Sequence, residues 1–246
     1  YMAKKIVRSP DVDKITNSAV NFYEGVTEEE VTQFYKERSK NDDKTPVSHG
    51  LNSKLVKQDG KVVERVWKLD GMYHNAIEKV VYWLEQAISV AETDAQKEAL
   101  ELLVEYYKSG DLKDFDEYNI AWVQDTESSI DVINGFIEVY NDPLGYRGSF
   151  ESVVSFRDKE ATKRIAAIAE VAQWFEDNSP IMDEHKKENV KGITGKVINV
   201  VMESGDASPA TPIGINLPNS NWIRTNYGSK SVSLGNIVSA YDASKG

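Results

Sequence analysis

The sequence predicts an α+β chain, predominantly helical with a small β-barrel or sheet, and three observations carry that prediction. Apolar residues recur at helical spacing over long stretches, as at Ile77, Val81, Leu84 and Ile88. Thr-x-x-Glu and Thr-x-x-Gln pairs stand where such stretches begin. After Gly195 the pattern changes, and Val197-Ile198-Asn199-Val200-Val201-Met202 is β-branched enough to read as a strand.

In chain order, Thr27 and Glu30 form a capping box, because each side chain can satisfy an end N–H of the other residue. Val31, Phe34 and Tyr35 then supply the buried stripe of that helix. Leu55-Val56 and Val62-Val63 flank Lys57-Gln58-Asp59-Gly60, and Asp-Gly is a strong tight-turn signal. A hairpin over residues 54–69, running on through Val66-Trp67, follows from it. The spacing predicts a helix over 75–92. Thr93 and Gln96 make a second capping box, opening a helix with Leu100, Leu103, Val104 and Tyr107 inward and Gly110 at its close. Residues 126–140 read as helix, ending before Asp142-Pro143, where proline forbids continuation. Ile165, Ile168, Ala172 and Phe175 mark a further helix, stopped near Ser179-Pro180. Ser204-Gly205-Asp206-Ala207-Ser208-Pro209 reads as a loop, and Pro212 to Asn216 as a short edge strand.

A chain of 246 residues can bury a sizeable core and holds one or two domains as a prior. It carries 40 Asp and Glu against 29 Lys and Arg, a formal charge of −11, with no basic run longer than Lys4-Lys5 or Lys186-Lys187. A nucleic-acid partner is therefore not expected. The acidity suits a cationic ligand, though acidity of this kind more often only keeps a surface soluble. There is no cysteine, hence no disulfide or thiolate nucleophile, which fits the cytoplasm. No stretch approaches the ~20 apolar residues of a membrane span, and no signal peptide follows Lys4-Lys5. The start at Tyr1 and the stop at Lys245-Gly246 read as those of an excised piece. His49, His74 and His185 lack the i,i+4 partner that would put two imidazoles on one helical face. His185 reads as solvated surface, and His74 as a cap or a satisfied polar contact.

Three segments could carry chemistry. In Gly135-Phe136-Ile137-Glu138-Val139-Tyr140, placed at a helix end, Glu138 reads as an ammonium-binding carboxylate and Tyr140 as a donor to a carbonyl. The alternative is that Glu138 is surface charge and Tyr140 core. In Asn216-Leu217-Pro218-Asn219-Ser220-Asn221, spaced amides could read a peptide's amine and carbonyl together, or simply form turns. In Trp122-Val123-Gln124-Asp125, the aspartate reads as the cap of the following helix.

Taken in order, Gly135-Phe136-Ile137-Glu138-x-Tyr140, Asp142-Pro143-x-Gly145-x-Arg147-Gly148-x-Phe150-Glu151, Gly214-Ile215-Asn216-Leu217-Pro218-Asn219 and Val232-Ser233-Leu234-Gly235-Asn236 resemble the dipeptidyl-peptidase III zinc exopeptidases. Trp122-x-x-Asp125 and the hairpin also fit, and the resemblance covers roughly residues 50–240. It implies a two-lobed peptidase that cuts short peptides after their second residue, with this chain forming mostly the lower lobe. Residues 1–158 would be its helical and hairpin part, 159–199 a helical excursion into the upper lobe, and 200–246 a strand and substrate-binding segment.

The resemblance further implies that Glu138 grips the peptide's amine, with Asn216 and Asn219 on the amine and first carbonyl. Tyr140 would donate to a carbonyl near the cut bond and steady the transition state. Glu151 would stand near the substrate's N-terminal end. Gly214 would let a peptide lie against the edge strand as an added strand. Asn221 stands where the family often has aspartate, which implies a weaker preference for cationic N-terminal dipeptides. The family's His-Glu-x-x-Gly-His zinc helix would follow beyond Gly246, so the zinc belongs to the full-length parent and this chain alone would hydrolyse nothing. The implied partners are short peptides with a free N-terminus and the missing upper lobe, with no nucleic acid and no membrane. A different reading of the 12 Tyr and 5 Trp is a non-catalytic helical module for peptides or glycans, or a scaffold.

Overall fold

The computed structural model describes residues 4–39, 43–190, 193–208 and 211–245. They form eight helices and eight strands in an α+β arrangement. Two compact units divide the chain. The first comprises residues up to Ala91, Leu100–Tyr118 and Asn134–Glu151; the second comprises Glu92–Ala99, Asn119–Ile133 and the residues from Ser152 onward. Residues 159–199 and 200–246 thus share the second unit.

The first unit opens with β1 (Tyr23–Glu24) and α1 (Glu28–Lys36), followed by the hairpin β2 (Ser53–Gln58) and β3 (Lys61–Val66). The capping box forms as expected, since Thr27 accepts from the Glu30 amide and the Glu30 carboxylate accepts from the Thr27 amide. The hairpin turns at Asp59-Gly60, both with positive φ, and β2 pairs antiparallel with β3 from Ser53↔Val66 to Gln58↔Lys61. Apolar burial explains why α1 lies on this sheet. Ile15, Tyr23, Val26, Val31, Phe34, Tyr35 and Leu55 make one core, with Leu144 and Tyr146 packed against it.

Helix α2 (His74–Ile88) buries Ile77, Val81 and Leu84 at the predicted spacing, but stops short of residue 92. His74 is its first residue, and Nδ1 accepts from the Asp70 amide at 3.1 Å, a satisfied polar contact. Helix α3 (Asp94–Ser109) has half of its predicted box: the Gln96 amide donates to Thr93 Oγ1 at 3.0 Å, while Gln96 Oε1 accepts from Glu92 rather than Thr93. It closes at Gly110, where a Cβ would meet Val66 Cγ1 at 2.6 Å. Helix α4 (Leu112–Gln124) was not anticipated by sequence; it buries Phe115, Tyr118, Ala121 and Trp122.

The predicted helix over 126–140 is instead β4 (Ile130–Glu138). Ile130, Ile133 and Ile137 happen to fall at helical spacing, yet Ile130, Val132, Ile133 and Ile137 are all β-branched and Gly135 interrupts them. Asp125 does not cap a helix; it accepts from the amide of Ser128 at 3.3 Å and its hydroxyl at 2.8 Å. Glu92 then takes the amides of Ser129 and Ile130 at 3.0 and 2.7 Å, fixing an extended start. Strand β5 (Ser149–Arg157) follows. The single helix expected through Phe175 is two, α5 (Lys159–Ala169) and α6 (Ala172–Asp177).

The rest of the second unit holds β6 (Ile193–Gly205), β7 (Gly214–Leu217), α7 (Asn221–Asn226), β8 (Ser229–Leu234) and α8 (Gly235–Ser244). The loop expected from Ser204 begins only at Asp206, because β6 runs on through Gly205, and Pro209 lies outside the described residues. The second sheet has the order β4-β5-β6-β8-β7 and the first β1-β2-β3, so β7 is an edge strand as predicted. Both are open: among the described residues no pairing joins first strand to last, and a barrel does not form. Strand β8 runs parallel to β6 and antiparallel to β7, over a core of Ile198, Val232 and Leu234. No helix among the described residues is long and apolar enough to cross a membrane.

Candidate functional site

In the first unit, the segment from Asp142 to Gly148 links β4 to β5, and its polar residues hold the bend. One Asp142 oxygen accepts from the amides of Tyr146 and Arg147, both at 2.8 Å, and from the Tyr23 hydroxyl at 2.7 Å. Arg147 is fully buried, donating from Nη1 to Gly50 O at 3.0 Å between the rings of Tyr23 and Tyr35. Gly50 has φ +80, and a Cβ there would sit 1.8 Å from that nitrogen. Gly148 is required by close approach, since a Cβ would meet the Phe136 backbone at 2.5 Å. The most distinctive stretch of the sequence is therefore a brace.

That brace sets three predicted residues together at its margin. Glu138 ends β4, Tyr140 follows two residues later, and Glu151 stands on the neighbouring strand β5. They end a strand, not a helix, which corrects the expected setting. Tyr140 is 67% exposed, so it is not a core residue, whereas Glu138 is half-buried. The negative charge of Glu138 holds the Tyr140 phenol above its ordinary pKa; partial burial, a hydrogen bond to Glu138 and the charge of Glu151 act in the same direction. The phenol thus stays protonated and donating through the neutral range. Chemically, the group is two half-buried carboxylates beside an exposed phenol donor, an arrangement that favours a cation.

The remaining predicted residues belong to the second unit. Gly214 and Asn216 lie on β7, opposite Ser233 and Ser231 of β8. The Leu234 amide donates to Ile213 O at 3.0 Å, so by antiparallel alternation Ile215 and Leu217 face β8 with their main chain. Gly214 and Asn216 therefore turn their N–H and C=O groups to the open edge. A Cβ on Gly214 would find only Val232 O, at 3.4 Å, so the packing of this chain does not demand glycine there. Asn216 Oδ1 accepts from Ser231 Oγ at 3.2 Å. Exposed Asn219 follows the cis Leu217–Pro218 bond, and exposed Asn221 is the first residue of α7.

Some polar residues had no sequence signal. Lys5 donates to Asn141 Oδ1 across 136 positions of chain, a separation no local pattern records. Lys230, with a fully buried side chain, pairs with Asp131 at 2.9 Å and lies 4.3 Å from the Trp122 ring centroid. Lys196 is also buried, and desolvation, then the charge of Lys230, push its pKa down. Among the described residues, no three of His, Asp and Glu gather as metal ligands.

Comparison with known proteins agrees with this architecture. The chain is 30% identical over 182 residues to dipeptidyl peptidase 3 of Dictyostelium discoideum, covering 74% of this chain and 26% of that protein. It superposes on the structure of dipeptidyl-peptidase III from Corallococcus sp. strain EGB with a TM-score of 0.75 and 27% identity, covering 89% of this chain and 40% of that one. The structure of DPP III from Caldithrix abyssi shares the fold, with a TM-score of 0.73 and 24% identity over 96% of this chain and 45% of that one. The chain spans about a quarter of the length of the curated relatives it matches. Residues 27–246 match peptidase family M49, and to that family the chain belongs.

Proposed function

We propose that this chain is a substrate-holding portion of a zinc dipeptidyl peptidase, one that releases dipeptides from the N-terminus of short peptides. The observation that carries the reading is the Glu138–Tyr140–Glu151 group. Two carboxylates beside a phenol kept protonated suit a peptide's ammonium and its neighbouring carbonyl. In the second unit, the outward main chain of Gly214 and Asn216 suits an extended peptide added as a strand. The exposed amides of Asn216, Asn219 and Asn221 could hold polar groups of such a peptide.

Zinc would activate water in the complete enzyme. The described residues offer no three-ligand group that fits it, so no step of peptide holding runs through the metal. Calorimetry of the 246-residue chain with a tetrapeptide, free or acetylated at its amine, tests the reading. Acetylation removes the ammonium, and binding should fall about tenfold, the effect of losing one charge-assisted hydrogen bond. Equal affinity for the two peptides would overturn the proposal. The chain alone is expected to release no dipeptide, and zinc-dependent release from pure chain would contradict that.

A further inference from the structure

The N-terminal segment of the first unit brings positive charge to the corner that carries Tyr140. Lys5 Nζ donates to Asn141 Oδ1 at 2.6 Å, and Arg8 Nη2 lies 3.4 Å from the Tyr140 carbonyl oxygen. Asn141 in turn donates from Nδ2 to Ser149 Oγ at 2.9 Å. A cavity of about 430 Å³ opens here, lined by Lys5, Val20, Asn21, Phe22, Asn141 and Ser149. It adjoins the carboxylate group through the chain itself: Asn141 follows Tyr140, and Ser149 shares a face of β5 with Glu151, two residues on. The cavity is therefore cationic and polar on one side and apolar at Val20 and Phe22 on the other.

We propose that Lys5 is a specificity-determining residue, which makes this cavity select peptides whose first residue bears a carboxylate. The inference rests on the reading that the peptide amine sits at Glu138 and Glu151. With the amine there, the first side chain has this cavity beside it. An ammonium has three N–H donors, and Asn141 takes one from Lys5. A side-chain carboxylate can take another as a charge-assisted bond. A lysine or arginine side chain in the same place meets Lys5 and Arg8 as like charges. Because Lys5 is exposed, its charge is screened by solvent, and the selection is modest and salt-dependent.

The test is calorimetry of the 246-residue chain with three free-amine tetrapeptides differing only in a first residue of Glu, Gln or Lys, together with the acetylated Gln peptide. The Glu peptide should bind about fivefold tighter than the Gln peptide, and the Lys peptide weaker than both. Lys5→Glu should invert that order. Lys113→Glu, which makes the same change in net charge on α4, should preserve it. Raising the salt from about 0.05 M to about 0.5 M should compress the differences. An order unchanged by Lys5→Glu overturns the role of Lys5, even where acetylation still weakens binding. Equal binding of the acetylated and free Gln peptides, with the order still governed by Lys5, overturns the amine reading instead. Failure of every peptide to bind overturns both.

Discussion

Glu138 acts on Tyr140 before any ligand arrives, and that coupling can be measured. Glu138→Gln removes the charge that chiefly raises the phenol's pKa, so Tyr140 should titrate nearer its ordinary value. Ring-labelled tyrosine followed by NMR across alkaline pH reads the shift, and the same variant should lose about tenfold in affinity for a free-amine peptide. An unmoved Tyr140 titration would separate the two residues. Both were legible in sequence as candidates, because a carboxylate and a phenol two positions apart beside a proline turn invite that reading. Their setting was not legible. What Asp142 and Arg147 do was hidden too, since their partners Tyr23, Tyr35 and Gly50 lie roughly a hundred positions upstream.

At the scale of elements, local chemistry is legible in the sequence wherever it is self-sufficient. The Thr27 box, the Asp59-Gly60 turn and the Gly110 stop each need only a few neighbouring residues. The apolar positions of strand β4 fit a helix as well as a strand, and the decision rests with Glu92, some forty residues away. The same strand carries Asp131, whose carboxylate holds Lys230 at 2.9 Å and accepts from Trp122 Nε1 at 2.8 Å. Asp131→Ala leaves a fully buried ammonium unpaired and should cost about 3–5 kcal/mol in urea unfolding. Adding Lys230→Met should recover most of that loss, since a buried pair is worth little against an apolar isostere. A double variant as unstable as the single one would show that packing around Trp122, not charge, is at stake.

Over the whole molecule, stability against alkali should be a property of the first unit. Burial raises the pKa of Tyr23, Tyr35, Tyr106 and Tyr107, all of which lie there. A pKa raised by folding means that the stabilisation is complete below tyrosine's ordinary pKa of about 10 and is lost as pH climbs through and beyond it. Tyr106 adds a hydroxyl that is buried without a partner. Tyr106→Phe should therefore gain about 1 kcal/mol at neutral pH, and more above pH ~10, by urea unfolding at both values. Equal loss at both would mean that the hydroxyl has a bonding role. The Gly50–Arg147 seat has a consequence of another kind. Folding selects Gly50, Asp142 and Arg147, while peptide holding would select Glu138 and Glu151, and the two demands can drift apart in evolution. A descendant that kept the seat and lost the carboxylates would keep its shape and its kinship, and would be deaf to peptides.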